Sequence, residues 1–360
     1  MQVLVTGDWH LGITQHGVIQ SDGRNSRLAD AEDVIHRIVE FADVNGVDLF
    51  VCSGDIFHTN RPSPEDQLAF LRILRHLESS TIGSARFIIG NHDYNSKLGS
   101  NHALKLFQKI GIKKIRIYDQ TEWEIFNDFL ICFYPYKGVP PDWGDMALYG
   151  AVAGSALVCH SHLEGAVVGA EPFEIRDDAA TKVGLLPVDY VWAGHFHKPQ
   201  LICDKPLAFY PGSPYAVDFS ERNDVKGAVL VDTSDVSYKT VGFESRRLYQ
   251  IDIDESIEEL YSHLEKINDC IVKVNVKLHE KNAHIFDEVS IRKMLIENGA
   301  HSIASVNLII DRQQLRRDPT ITLDNNLVDN FERFVNQRDY GDDINDIISK
   351  GKEIIQQCGS

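Results

Sequence analysis

Apolar runs and helix-period segments alternate along the first 245 residues. The runs VLV, LFV, RFII, ALV and YVW are rich in branched and aromatic side chains and too short for helices, so they read as buried strands. Between the early ones, Ala31, Val34, Ile35, Ile38 and Ala42 recur at helical spacing. Leu68, Leu71, Leu74 and, less cleanly, Leu77 do the same after the turn-forming RPSP. Alternating βα units predict an α/β layered domain. From about residue 188 strands follow in quick succession: DYVWAG, QLIC, LAFY, GAVLVD and VSYKTV. Residues 246–320 read as a small α+β domain. It holds the strand RLYQIDID, a helix carrying Ile257, Leu260, Leu264 and Ile267, the alternating strand IVKVNVKL, a helix around Ile291 and Ile296, and SIASVNLIID. In residues 321–360, Leu327, Phe331, Phe334 and Val335, then Ile344, Ile347, Ile348, Ile354 and Ile355, predict two short amphipathic helices joined across 338–342.

A chain of 360 residues with 43% hydrophobic and 25% charged side chains can bury a sizeable core, which excludes global disorder. The longest weakly polar stretch, 146–159, is broken by Gly150, Gly154 and Ser155 and falls short of a membrane span. The opening MQVLVTGDWH lacks the basic and apolar regions of a signal peptide. The cysteines are scattered without a CxxC pair, as expected for reduced thiols in the cytoplasm. The net charge of −17 changes the picture most. A protein that grips DNA unaided shows a basic face, so any action on nucleic acid would need metal ions or a partner to offset the repulsion.

The candidate chemistry lies at the strand ends. VLVTGDWH supplies Asp8 and His10, LFVCSGDIFH Asp55 and His58, and RFIIGNHD Asn91, His92 and Asp93. ALVCHSHLEG supplies His160 and His162, and YVWAGHFH His195 and His197. Residues just past the carboxyl ends of strands in an α/β sheet converge on one crevice. Each motif alone has an ordinary structural reading, as a turn or an edge strand. Five in succession, each closing an apolar strand, point to one polar cluster. Carboxylate, amide and imidazole ligands without thiolate suit manganese, iron or zinc, and paired divalent ions are a recurring device for phosphoester hydrolysis.

The order D-x-H, GD-x-x-H, GNHD, a strand-end His and GH-x-H resembles the calcineurin-like metallophosphoesterases. GDIFHTNRPSP, SHLEGAVVG, LPVDYVWAGHFHKPQ and FYPGSPYAVDFSERNDVKGAVLVD are similar to the SbcD-type DNA nuclease branch. GDWHLG and the helical tail lean toward the recombination nucleases of T-even-type phages. The resemblance implies a four-layer αββα sandwich over residues 1–245, a small capping domain over 246–320 that positions DNA, and a helical segment over 321–360 that binds an ATPase partner. It implies one metal held by Asp8, His10, Asp55 and His197, and a second held by Asp55, Asn91, His162 and His195, with manganese the expected ion. His160 is the alternative to His162. If the strand alternates, both point the same way, and spacing does not separate them. The His-Leu pair of the SbcD branch favours His162. His92 would stabilise the transition state or protonate the leaving oxygen with Asp93 orienting it, and His58 would help place a DNA phosphate. Implied partners are DNA, an SMC-like ABC-type coiled-coil ATPase and a second copy of the chain, joined through the early helices. In the capping domain, Arg246, Arg247, Lys273, Lys277, Arg312, Arg316 and Arg317 are candidate phosphate contacts.

Overall fold

A computed structural model of the chain describes residues 1–95, 101–138, 154–169, 173–174, 180–254, 256–311, 326–336 and 344–358. The apolar runs fold as strands β1 (Gln2–Thr6), β2 (Leu49–Cys52), β3 (Ser84–Ile88), β4 (Ile115–Tyr118), β5 (Glu122–Phe126), β6 (Phe129–Tyr134) and β7 (Ser155–His160). They continue as β8 (Val167–Val168), β9 (Phe173–Glu174), β10 (Tyr190–Gly194), β11 (Gln200–Asp204), β12 (Leu207–Tyr210), β13 (Gly227–Asp232) and β14 (Ser237–Gly242). Two six-stranded sheets result, in the orders β14-β13-β1-β2-β3-β4 and β11-β12-β10-β7-β6-β5. β1 to β4 run parallel in the first, and β12, β10, β7 and β6 run parallel in the second. β8 and β9 form a separate ribbon.

The sheets stack face to face. Their inner faces share one apolar layer in which Val3, Val5, Leu49, Val51 and Ile88 meet Ile131, Phe133, Val158, Trp192 and Phe209. The outer face of the first sheet is covered by α1 (Ser26–Val44) and α2 (Pro64–Ser79). Asn25 caps α1 by accepting from the Arg27 N–H, and α2 opens on a Ser63/Asp66 capping box followed by proline. The buried stripe of α2 is Ala69, Phe70, Ile73, Leu74 and Leu77, and Leu68, which the spacing had placed on that stripe, faces solvent. A third helix, α3 (Lys105–Ile110), follows β3. Over the outer face of the second sheet lie Leu163, Ala166, Val183 and Leu186. Residues 139–153 and 175–179 lie outside the described residues.

By contacts the chain divides into two compact units, Met1–Lys277 with His284–Ile309, and Leu278–Ala283 with Ile310–Ser360. The first unit includes most of a three-stranded sheet of β15 (Leu248–Asp254), β16 (Ile271–His279) and β17 (Ser302–Asp311), with α4 (Glu288–Glu297) between the last two. The expected helix through Ile257 and Ile267 is a run of 3-10 turns over Ile257–Lys266. Only Leu260 within it and Ile267 after it are fully buried, so an apolar helical face has little to cover there. Arg246 ties this part to α1, its guanidinium reaching both Asp30 oxygens at 2.7 and 3.0 Å while also pairing with Asp269. In the second unit α5 (Leu327–Asn336) and α6 (Ile344–Cys358) pack on each other, and Lys352 pairs with Glu332 at 2.6 Å. Their connection lies outside the described residues. No described helix is long and apolar enough to cross a membrane.

Candidate metal centre

The carboxyl ends of β1, β2 and β3 in one sheet meet those of β7 and β10 in the other. Asp8, His10, Asp55 and His195 all sit at positive φ, at +52°, +45°, +52° and +111°. Such backbone costs a residue with a side chain on the order of 1–3 kcal/mol, and it turns each chain sharply so that the side chain faces the crevice. Cross-strand hydrogen bonds hold the bends: Asp8 N to Gly54 O at 2.9 Å, His10 N to Asp55 O at 3.0 Å and Ser53 N to Thr6 O at 2.8 Å. Gly90 is demanded by space, because a Cβ there would overlap the backbone nitrogen and carboxylate of Asp55.

Two donor groups form on either side of Asp55. In the first, Asp8, His10 and His197 bring one ligand atom each within 4.8 Å of one another, with His10 Nε2 and His197 Nε2 2.9 Å apart and Asp55 Oδ2 3.7 Å from His10 Nε2. In the second, Asp55, His160 and His195 do the same. His160 Nε2 is 3.3 Å from Asp55 Oδ2, and Asn91 Oδ1 lies 2.9 Å from both His160 Nε2 and His195 Nδ1. These donors suit divalent ions. Two buried carboxylates, an amide oxygen and imidazole nitrogens converge without thiolate, and the His10 Nδ1 is buried without a hydrogen-bond partner.

Burial and mutual charge set the protonation. Burial raises the Asp8 carboxyl despite the nearby His160 and His197. Burial would raise Asp55 as well, but His160, by charge and hydrogen bond, with His10 and His92 keeps it ionised, well below the usual carboxylate range. His160 is the reciprocal case: burial alone would lower it, and Asp55 and Asp8 push it up to about 9. Burial and the neighbouring His160 and His162 lower His195 to about 3, and burial with His197, His92 and His58 depresses His10. Neutral imidazoles and ionised carboxylates are the forms that ligate metals, so an ion bound here would displace the proton that Asp55 and Asp8 hold on His160.

At two positions the structure places the side chains otherwise than the sequence reading expects. It is His160, and not the favoured His162, that reaches the Asp55–Asn91 junction. His195 turns Nδ1 toward that junction, and His162 lies at its other nitrogen, Nε2 to Nε2 at 2.6 Å, on the outer side of the ring. Asp93 does not orient the His92 ring. It is fully buried and accepts from the backbone N–H groups of Ile56, Phe57 and Gly90 at 3.2, 3.0 and 3.0 Å, binding the two metal loops to each other. Burial, then repulsion from Asp55, raises its carboxyl to about 7. His92 is held through its own N–H to Asp55 Oδ1 at 2.8 Å and through Nδ1 against the His58 carbonyl at 2.8 Å. Its ring stacks on His58 at 5.7 Å and meets His10 edge-on at 4.7 Å, so three imidazoles line one side of the crevice.

Sequence reasoning missed Glu221, whose Oε1 lies 2.7 Å from His197 Nδ1, and Lys226, buried beside it. Both stand in the FSERNDVKG stretch, where the signal was an acid and a lysine bracketing a turn before an apolar strand. Of the candidate phosphate contacts, Arg246 is spent on Asp30 and Asp269, Lys277 lies near Asp254 and Lys273 sits over the Phe219 ring. Arg312, Arg316 and Arg317 lie outside the described residues.

Comparison with known proteins gives the same strand-end motifs a family. Over 299 residues the chain is 24% identical to exonuclease subunit 1 of Enterobacteria phage T4, covering 74% of this chain and 82% of that one. It is 23% identical to the SbcD component of the nuclease SbcCD of Bacillus subtilis, covering 95% and 94%. It is 27% identical to the DNA double-strand break repair protein Mre11 of Haloferax volcanii, covering 90% of this chain and 70% of that one. Residues 1–199, which hold all five motifs, match the family model for calcineurin-like phosphoesterases. The chain belongs to the calcineurin-like phosphoesterase family, whose members use divalent metals.

Proposed function

We propose that the chain is a two-metal DNA nuclease, hydrolysing phosphodiester bonds during DNA end processing, recombination and repair, with manganese as its ion. The observation that carries this reading is the junction at Asp55, which stands between two separate donor groups and can serve both. Asp8, His10 and His197 would hold one ion and Asn91, His160 and His195 the other. Two ions there would polarise a phosphoryl group and acidify an attacking water. His92 stands at the crevice wall beside His10, suited to hold or protonate the leaving oxygen. His58, a partly exposed ring stacked on His92 at the same wall, is suited to a phosphate oxygen. Asp93 keeps the loops bearing Asp55 and Asn91 in fixed relation.

DNA as substrate rests on the relatives' names, an exonuclease subunit, a component of a nuclease and a break-repair protein. The proposed partners are an SMC-like ABC-type ATPase and a second copy of the chain, and the proposed place of action is the cytoplasm; two of the relatives are named as subunits, which supports work within a complex. Such a partner would supply the cationic grip that a chain of net charge −17 lacks. The amphipathic α5 and α6 are the proposed docking segment. Comparing linear DNA with p-nitrophenyl phosphate and its bis-ester tests the substrate class. DNA should be the preferred substrate, and strong monoester turnover with inert DNA would move the chain to phosphatase chemistry on the same scaffold.

A further inference from the structure

We propose that Glu221 is the positioning residue of His197. Clamped by Lys226, it fixes the proton on Nδ1 and so commits Nε2 to the ion shared with Asp8 and His10. The inference rests on reading those three residues as one metal group. A neutral imidazole carries one N–H, and the partner of one nitrogen decides which lone pair is free. At His197 that partner is Glu221 Oε1, 2.7 Å from Nδ1, which leaves Nε2 facing His10.

The carboxylate is itself immobilised. Its other oxygen accepts from Lys226 Nζ at 2.7 Å, from Val217 N at 3.0 Å and from Ser213 Oγ at 3.3 Å. Lys226 Nζ also donates to the His197 carbonyl at 2.8 Å and to Ser213 Oγ at 3.0 Å. One lysine therefore grips both the backbone of His197 and the carboxylate that grips its ring. Lysine and glutamate side chains are only 5% and 10% exposed, and a buried ion pair is generally no more stabilising than apolar packing of the same size. Stability alone does not account for it, whereas orientation of a ligand does.

The two metal groups differ in this respect. His160 has its Nδ1 set by the Ser53 carbonyl at 2.8 Å, a backbone group that no substitution removes. In the first group the buried His10 Nδ1 has no hydrogen-bond partner, and Glu221 is the side chain that sets the ring of the group's other histidine, His197.

The test is calorimetric titration of metal-stripped protein with manganese, beside Glu221→Ala and Glu221→Gln. Wild type should take two ions. Glu221→Ala should weaken one of them by about 10- to 100-fold and leave the other within about threefold, and Glu221→Gln, which keeps an acceptor, should recover most of the loss. A folded Glu221→Ala with both affinities unchanged, or one that lowers only the melting temperature, overturns the proposal. Imidazole nitrogen NMR of the metal-free wild type, recorded at rising pH until the His197 ring has lost its second proton, needs no variant to fold. It should show His197 as the Nδ1–H tautomer, and the Nε2–H form overturns the assignment. Wild type that binds no manganese overturns the metal reading itself, before any substitution enters.

Discussion

Gly90→Ala isolates the central carboxylate by steric means alone. Gly90 is not among the positive-φ glycines, so alanine incurs no dihedral penalty and its whole effect comes from one added methyl. That methyl carbon would stand 2.7 Å from Asp55 Cγ and nearer still to Asp55 N and Oδ1, where ordinary contact begins at about 3.4 Å. The nearest carboxylate oxygen must therefore retreat by more than about 1 Å, and because a backbone nitrogen is also struck, side-chain rotation alone gives no relief. Overpacking of this kind costs about 1–3 kcal/mol of stability. A misplacement approaching 1 Å at a reacting centre costs on the order of 100-fold in rate. The variant should remain folded, with a modestly lowered melting temperature. Both manganese affinities should fall at least about tenfold, since Asp55 serves both groups, and DNA cleavage should fall about 100-fold. Calorimetry and cleavage of labelled DNA read the two effects separately. A folded Gly90→Ala with wild-type affinities and a rate within about twofold of wild type would refute the argument that a tightly held Asp55 links the two groups.

Further outcomes follow from other contacts. His160→Ala should lose the ion at Asn91 and His195, whereas His162→Ala should keep both ions bound; the reverse pattern, read by metal titration, would restore the choice the motif favoured. Arg246→Ala should cost about 2–4 kcal/mol in urea melts by stranding Asp30, with little effect on DNA affinity, and a selective loss of DNA binding would contradict this. Glu32 carries the clearest pH signature. Burial alone would raise its carboxyl, but hydrogen bonds from Arg72 and His36 hold it at about 2 against an ordinary 4.5. Its folded value lies below the unfolded one, so its stabilisation is complete above about pH 4.5 and is lost as pH falls toward 2. That gap is worth at most about 3 kcal/mol, and about 1–2 once the exposure of Arg72 is allowed for. Arg72→Ala should therefore destabilise the protein near pH 6 and hardly at all near about pH 2.5, and a pH-independent loss would argue against the pair.

The strand ends were legible because three independent patterns coincide there: an apolar run, a turn residue, and a metal-ligating side chain. That coincidence singles out Asp8, His10, Asp55, Asn91, His195 and His197, which the fold brings to one crevice. The choice between His160 and His162 is not legible, since residues two apart on a strand share a face, and the His-Leu pair favours the histidine that stands on the other side of the His195 ring from Asn91. Asp93 misled for a related reason. Adjacent side chains diverge, and a fully buried carboxylate seeks backbone donors from the neighbouring loop. Glu221 and Lys226 lie 24 and 29 positions beyond the histidine they serve, a separation that no local period encodes. Helical spacing in residues 257–267 likewise could not distinguish α from 3-10 turns, because the outcome depends on how little apolar surface lies beneath them.

The most direct test of the account is degradation of end-labelled linear duplex DNA by the purified chain in manganese, beside magnesium and chelator controls and the Asp55→Asn variant. The account predicts cleavage that requires the added ion and disappears in Asp55→Asn while the variant stays folded. Cleavage that survives the chelator, or that Asp55→Asn leaves intact, would contradict it.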